Sequence, residues 1–208
     1  MSNIIIVQCF MSIGKVSLTD LTFVSREKWG ALPPVSVIQL NSPVNFVIIH
    51  HSYLPAACFN FITCAAAMRS MQNFHQLTNQ WADIGYNFAV GSDGAVYEGR
   101  GWDAVGAHAA GYNSQSIGIV LIGDWICEFP PSVQLQAAKD LISIGVELGY
   151  IRPDYQLIGH RQVRATECPG DALYNEISNW ERFTHDEGQY MFCRDANNKR
   201  VKVYCGLP

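Results

Sequence analysis

Asn45–His50, read NFVIIH, is a run of β-branched and aromatic residues bounded by Pro43 on one side and Pro55 on the other. Such a run between turn-forming residues reads as a short strand. Downstream, Thr63–Asn79 reads as a helix, with Met68, Met71, Phe74 and His75 recurring at helical spacing. Tyr86–Val90 and Ala95–Glu98 flank the turn Gly91-Ser-Asp-Gly94 and form a hairpin. Ser116–Ile122 (SIGIVLI) lacks polar alternation and reads as a strand buried on both faces. Ser132 can cap a helix whose apolar face carries Leu135, Ala138, Leu141, Ile142, Gly145 and Leu148. Pro153 interrupts the chain beyond that helix, Gln156–Gly159 is a brief strand ending at His160, and a last helix starts near Asp171. Apolar strands interleaved with helices define an α/β domain with a mixed central sheet.

That domain runs over residues 23–184, after a leader at 1–22 and before a polar C-terminal extension at 185–208. With 208 residues, 49% of them apolar, the chain can bury one sizeable core. A net charge of −4 without a basic stripe excludes a nucleic-acid partner, and no apolar run has the length of a membrane span. Ile4–Ile13 has the length of a signal h-region but no basic residue before it, so it reads either as a weak signal or as a disordered leader. Among seven cysteines, Cys58 with Cys64 and Cys193 with Cys205 read as local disulfides, which point to an oxidising compartment and a secreted protein. Cys127 reads as a small buried hydrophobe.

Three residues stand out by position. His50 and His160 close two strands, and Cys168 comes after as H-x7-C. Strand ends in α/β folds border the crevice where ligands bind. Two imidazoles and a thiolate suit zinc, and three protein ligands leave a fourth position open, the catalytic arrangement. On spacing alone a histidine beside an apolar strand is more often a satisfied core residue, and a cysteine nucleophile with a histidine base stands as another reading.

The segments VIIHHSYLPAAC (47–58), FHQL (74–77) with W-x-DIGYNF (81–88), GRGW (99–102), GAHA (106–109), SIGIVLIGD (116–124) and GHRQVRATECPG (159–170) together resemble the peptidoglycan recognition protein family, closest to its insect amidase branch. The resemblance implies a phage-amidase-like fold, with a mixed sheet of five or six strands flanked by three helices. It implies hydrolysis of the bond between N-acetylmuramic acid and L-alanine in peptidoglycan and muropeptides. It puts one Zn2+ per chain on His50, His160 and Cys168, catalytic roles on Tyr86 and Thr166, and the binding groove on His51, His75, Trp81, Arg100, Trp102 and His108. Members that only bind peptidoglycan usually lack the cysteine, so Cys168 separates the enzyme reading from a sensor reading. Arg100 in the EGRGW motif implies a preference for diaminopimelate-type stems. The glycine that usually precedes the tryptophan of that group is Gln80 here.

Overall fold

The computed structural model describes residues 21–185 and the backbone of two further strands at 191–194 and 200–203. Residues 1–20 of the leader and the Cys193–Cys205 pairing fall outside the described residues.

Six strands form one mixed sheet in the order β1-β4-β3-β5-β2-β6. They are β1 (Phe23–Val24), β2 (Val44–His51), β3 (Phe88–Val90), β4 (Val96–Glu98), β5 (Ser116–Leu121) and β6 (Ile151–Gly159). The β3–β4 hairpin is the antiparallel pair, and the remaining neighbours run parallel. The carboxyl ends of β2, β5 and β6 therefore meet along one edge. Among the described residues, four α-helices accompany the sheet: the single turn α1 (Arg26–Trp29), then α2 (Phe61–Asn73), α3 (Ser132–Glu147) and α4 (Asp171–Ile177). A separate hairpin pairs β7 (Met191–Arg194) with β8 (Arg200–Val203).

Both faces of the sheet are covered. Val47, Ile49, Ile117, Ile119 and Leu121 pack with Ala138, Leu141 and Ile142 of α3 and Leu173 and Ile177 of α4. On the other face, Ala89, Tyr97 and Val120 pack with Cys64, Met68 and Met71 of α2. Each aliphatic side chain of this size contributes about 1.5–3 kcal/mol when fully buried, which holds the parallel strands in register. The Cys58–Cys64 disulfide lies in the second cluster and ties the loop after β2 to the first turn of α2. Asn60 caps that helix, its side chain accepting the Thr63 N–H at 3.0 Å.

The structure departs from the sequence expectation at several places, each for a local reason. The helix over 63–79 is α-helical only to Asn73, and Phe74–Thr78 forms a π-helical turn. The wider turn shifts the phase, so Phe74 is exposed while His75 is buried. Strand β6 does not stop at Pro153 but runs past it. It is an edge strand, and its pairing with β2 slips between Val44↔Ile151 and Phe46↔Gln156, so Pro153 lies where the ladder is broken. Ser132 is the first helical residue of α3, not its cap, and Leu148 at the far end is exposed. Cys127 is exposed in the loop between β5 and α3, not buried.

Candidate metal centre and groove

Register brings the first two residues of the centre together. Ile49 pairs with Gly159, the last residue of β6, so His50 on β2 and His160, which opens the 3-10 turn after β6, emerge at the same edge. Their ring centroids are 4.4 Å apart. The chain then turns back to deliver Cys168. Arg161 closes this loop by donating to the Asp171 carboxylate and the Glu167 carbonyl, with its guanidinium 5.0 Å above the Tyr174 ring. Gly170 has φ +92° and sits against the Trp125 carbonyl, where an added Cβ would come within 2.2 Å of the oxygen. Only glycine allows that approach. The Cys168 N–H donates to Thr166 Oγ1 at 3.2 Å, which braces the thiol from the peptide side.

One ligand atom from each of His50, His160 and Cys168 lies within 4.8 Å of the others. His50 Nδ1 and Cys168 Sγ are 3.6 Å apart. Zinc bonds of about 2.0 Å to nitrogen and about 2.3 Å to sulfur at a tetrahedral angle put such atoms roughly 3.5 Å apart. Nε2 of His160 is buried with no hydrogen-bond partner. Burial, and then the neighbouring His108, His160 and His51, holds the His50 imidazole well below the usual histidine range. Burial, with Arg164 adding to it, pulls His160 down to about 4. Neutral imidazoles are the form that binds metal. Burial pushes the Cys168 thiol up to about 12. A cysteine nucleophile needs thiolate, which this environment disfavours, whereas a divalent cation beside the sulfur supplies the missing positive charge. The donor set therefore fits a metal ion better than a cysteine hydrolase.

A cavity of about 450 Å³ opens over this cluster. His51, His75, Trp81, Tyr86, His108 and Thr166 all line it, together with the three candidate ligands. His50 and His51 both reach it although consecutive strand residues face opposite sides of a sheet, because the cavity spreads over the end of β2. His51 stays on the face of Trp125, whose N–H donates to its Nδ1 at 3.2 Å. Burial, then Arg161 and His160, takes His51 down to about 4. The π-helical turn sets the opposite wall. His75 accepts the Gly85 N–H on Nδ1 at 3.0 Å and stacks on Trp81 with centroids 4.8 Å apart and ring planes 22° from parallel. Tyr86 lies between them, 5.3 Å from the His50 ring and 5.7 Å from the His75 ring. Burial, and then nearby Cys168, raises its phenol above the usual tyrosine range, so it stays a hydrogen-bond donor at neutral pH.

Arg100 and Trp102, expected in the groove, do not line the cavity. Arg100 turns beneath the wall and donates to the carbonyls of Ile84 at 2.7 Å, Val105 at 2.8 Å and Asp83 at 3.4 Å. Trp102 goes the other way. It stacks on Tyr150 at 5.1 Å, meets Phe88 at 4.3 Å and lies against Gly145 of α3. Its large apolar area is taken up by the core rather than offered to a ligand.

Ser52, Tyr53, Ala107, Ile126 and Glu167 also line the cavity and were not expected there. All but Ile126 adjoin expected site residues in the HHSY, GAHA and TEC segments, and that adjacency was the available signal. A larger cavity of about 640 Å³ lies between α3 and β6, walled by Lys139, Trp180 and Arg182, and contains none of the candidate ligands.

The sequence profile of the N-acetylmuramoyl-L-alanine amidase family matches residues 40–171. Peptidoglycan-recognition protein LB of Drosophila melanogaster is 57% identical over 161 residues, covering 77% of this chain and 69% of that protein. An N-acetylmuramoyl-L-alanine amidase of Homo sapiens is 48% identical over 164 residues, covering 76% of this chain but only 28% of the human protein. Among solved structures, a mutant of Drosophila PGRP-LB in complex with tracheal cytotoxin superposes with a TM-score of 0.78 at 56% identity, covering 78% of this chain and 96% of that one.

Proposed function

Because the chain belongs to the N-acetylmuramoyl-L-alanine amidase family, as one of its peptidoglycan-recognition proteins, we propose that it hydrolyses the amide between N-acetylmuramic acid and L-alanine with one zinc ion held by His50, His160 and Cys168. The observation that carries this reading is the thiol of Cys168 meeting the buried imidazole of His50 and the half-buried imidazole of His160 at the end of two parallel strands. A zinc ion bound there supplies a Lewis acid for a carbonyl and an activated water at neutral pH. The residues around it do the rest. The Tyr86 hydroxyl donates to the carbonyl oxygen as negative charge builds on it, and Thr166 stiffens the Cys168 backbone beside it. The reaction adds water across the amide, leaving a lactyl carboxylate on the sugar and a free amine on the alanine. The apolar faces of His75 and Trp81 give the stem peptide a wall, while His51 and Tyr53 border the opposite side.

Diaminopimelate-type stems are the favoured substrate in this reading. What supports it is Arg100 in the EGRGW motif, since a guanidinium can hold an extra carboxylate with paired hydrogen bonds. Arg100 itself lies outside the cavity and donates to three backbone carbonyls, so the preference requires its remaining N–H groups to reach the bound stem. The domain that carries this chemistry runs over 23–184, with 1–22 as a leader and 185–208 as an extension. The Cys58–Cys64 disulfide supports export to an oxidising compartment. No helix among the described residues is long and apolar enough to cross a membrane. Cleaving stem peptides from shed fragments would remove an immune stimulus and dampen innate signalling.

The test is mass spectrometry of peptidoglycan fragments incubated with the zinc-loaded chain, with and without a chelator. Release of intact stem peptides that stops on chelation is the expected result. Release that continues undiminished in zinc-free protein overturns the mechanism, and tight fragment binding without any release points to a sensor.

A further inference from the structure

We propose that Ser116 and His108 act in series to fix the imidazole tautomer of His50, which makes His108 a positioning residue of the metal centre; this rests on the zinc reading above.

Each proton along this series has one place to go. Ser116 is fully buried at the first position of β5. Its hydroxyl has a single proton, and that proton goes to the Tyr112 carbonyl at 2.8 Å. At its other contact, 3.4 Å from His108 Nε2, the serine oxygen is therefore left to accept. A neutral His108 then carries its proton on Nε2 and presents Nδ1 as a bare acceptor. His108 Nδ1 stands 3.1 Å from His50 Nε2, so the proton shared there belongs to His50 Nε2. That leaves His50 Nδ1 with its lone pair, on the side where Cys168 Sγ lies 3.6 Å away. The opposite tautomer of His50 would set two bare lone pairs against each other in a buried site and leave both unsatisfied. Metal-binding histidines are commonly held this way through their second ring nitrogen.

Two glycines make room for the His108 ring. An added Cβ at Gly118 or at Gly106 would come within 2.4 Å of it, and the His108 N–H is held by Asn113 Oδ1 at 2.9 Å. The ring meets His50 edge-on, at 5.1 Å and 85°. The glycine of SIGIV thus makes room for the ring that orients the ligand.

The test uses the full chain, stripped of metal and then titrated with zinc. Long-range proton–nitrogen NMR of labelled imidazoles at neutral pH should show Nε2–H on both His50 and His108 before zinc is added. Competition with a chromogenic chelator should show His108→Leu binding zinc roughly 10- to 100-fold more weakly than the natural chain. His108→Gln, whose carboxamide oxygen can accept from His50 Nε2, should recover most of that loss. Ser116→Ala keeps the ring but releases its proton, and should give mixed tautomers at His108. It serves as the measurement should His108→Leu fail to fold. Nδ1–H on His50, or a single unchanged tautomer in Ser116→Ala, overturns this inference alone. Unchanged zinc affinity in His108→Leu does the same. A natural chain that takes up no zinc overturns the zinc reading, and this inference with it.

Discussion

The segment His75–Tyr86 and the segment Arg100–Trp102 carry residues that family resemblance assigns to one groove, yet only the first faces the cavity. His75, Trp81 and Tyr86 come off a π-helical turn and the loop after it, and their rings stand against the candidate metal ligands. Arg100 and Trp102 come off the end of β4, only two residues apart, and their side chains part. One ties down the loops beneath the Trp81 wall, and the other fills the space between the sheet and α3. Neighbouring positions in a motif share a backbone path but not a direction. Where a side chain ends depends on which apolar surface or orphaned carbonyl lies within its reach.

The contrast can be broken by substitution. The largest effect belongs to Cys168→Ser, which should abolish stem-peptide release while leaving fragments bound; retained turnover would remove the metal from the mechanism. Trp102→Ala should cost about 3–5 kcal/mol of stability, the range for truncating a large core aromatic, with fragment affinity of the folded protein unchanged. Denaturant melts alongside calorimetry would check this. An unaltered melt with weakened binding would return Trp102 to the groove. Tyr86→Phe keeps the ring and removes one donor, for which a rate loss of roughly a hundredfold at constant zinc content is expected. A smaller effect is expected from Arg100→Ala. Preference for diaminopimelate-type over lysine-type fragments should fall by about ten- to a hundredfold, as for a lost charge-assisted pair. Equal cleavage of both fragment types by the unaltered protein would dispose of the specificity claim. The smallest is Gln80→Gly. Gln80 holds φ +57°, a left-handed conformation that glycine adopts freely. The substitution should stabilise the chain by about 1 kcal/mol, and unchanged or lowered thermal stability would argue against strain there.

Much of the fold was legible because the strands are apolar for reasons that do not depend on their partners. SIGIVLI is buried throughout and has helices on both sides, whereas NFVIIH is buried from Val47 onward with α3 and α4 on one face and Ile48 packed on Ala109 and Ile158 on the other. The breaks were harder. Pro153 reads as a stop, but an edge strand with a slipped ladder tolerates it. The π-helical turn leaves no mark in apolar spacing, so Phe74, read on the buried face, turned out to solvent while His75 stayed buried.

What this sequence determines by itself is five of the six strands of the main sheet and the presence of two histidines and a cysteine at strand ends and just beyond, since these come from local composition. What the tertiary structure alone decides is their meeting. The parallel register of β2 with β6 sets His50 beside His160, and the Arg161 clamp folds Cys168 back onto them. The same holds for the Ser116–His108–His50 chain, in which a proton committed at one end fixes a lone pair at the other. Hydrogen bonds of that kind depend on distances between atoms far apart in the chain, and residue order carries no record of those distances until the core has closed around them.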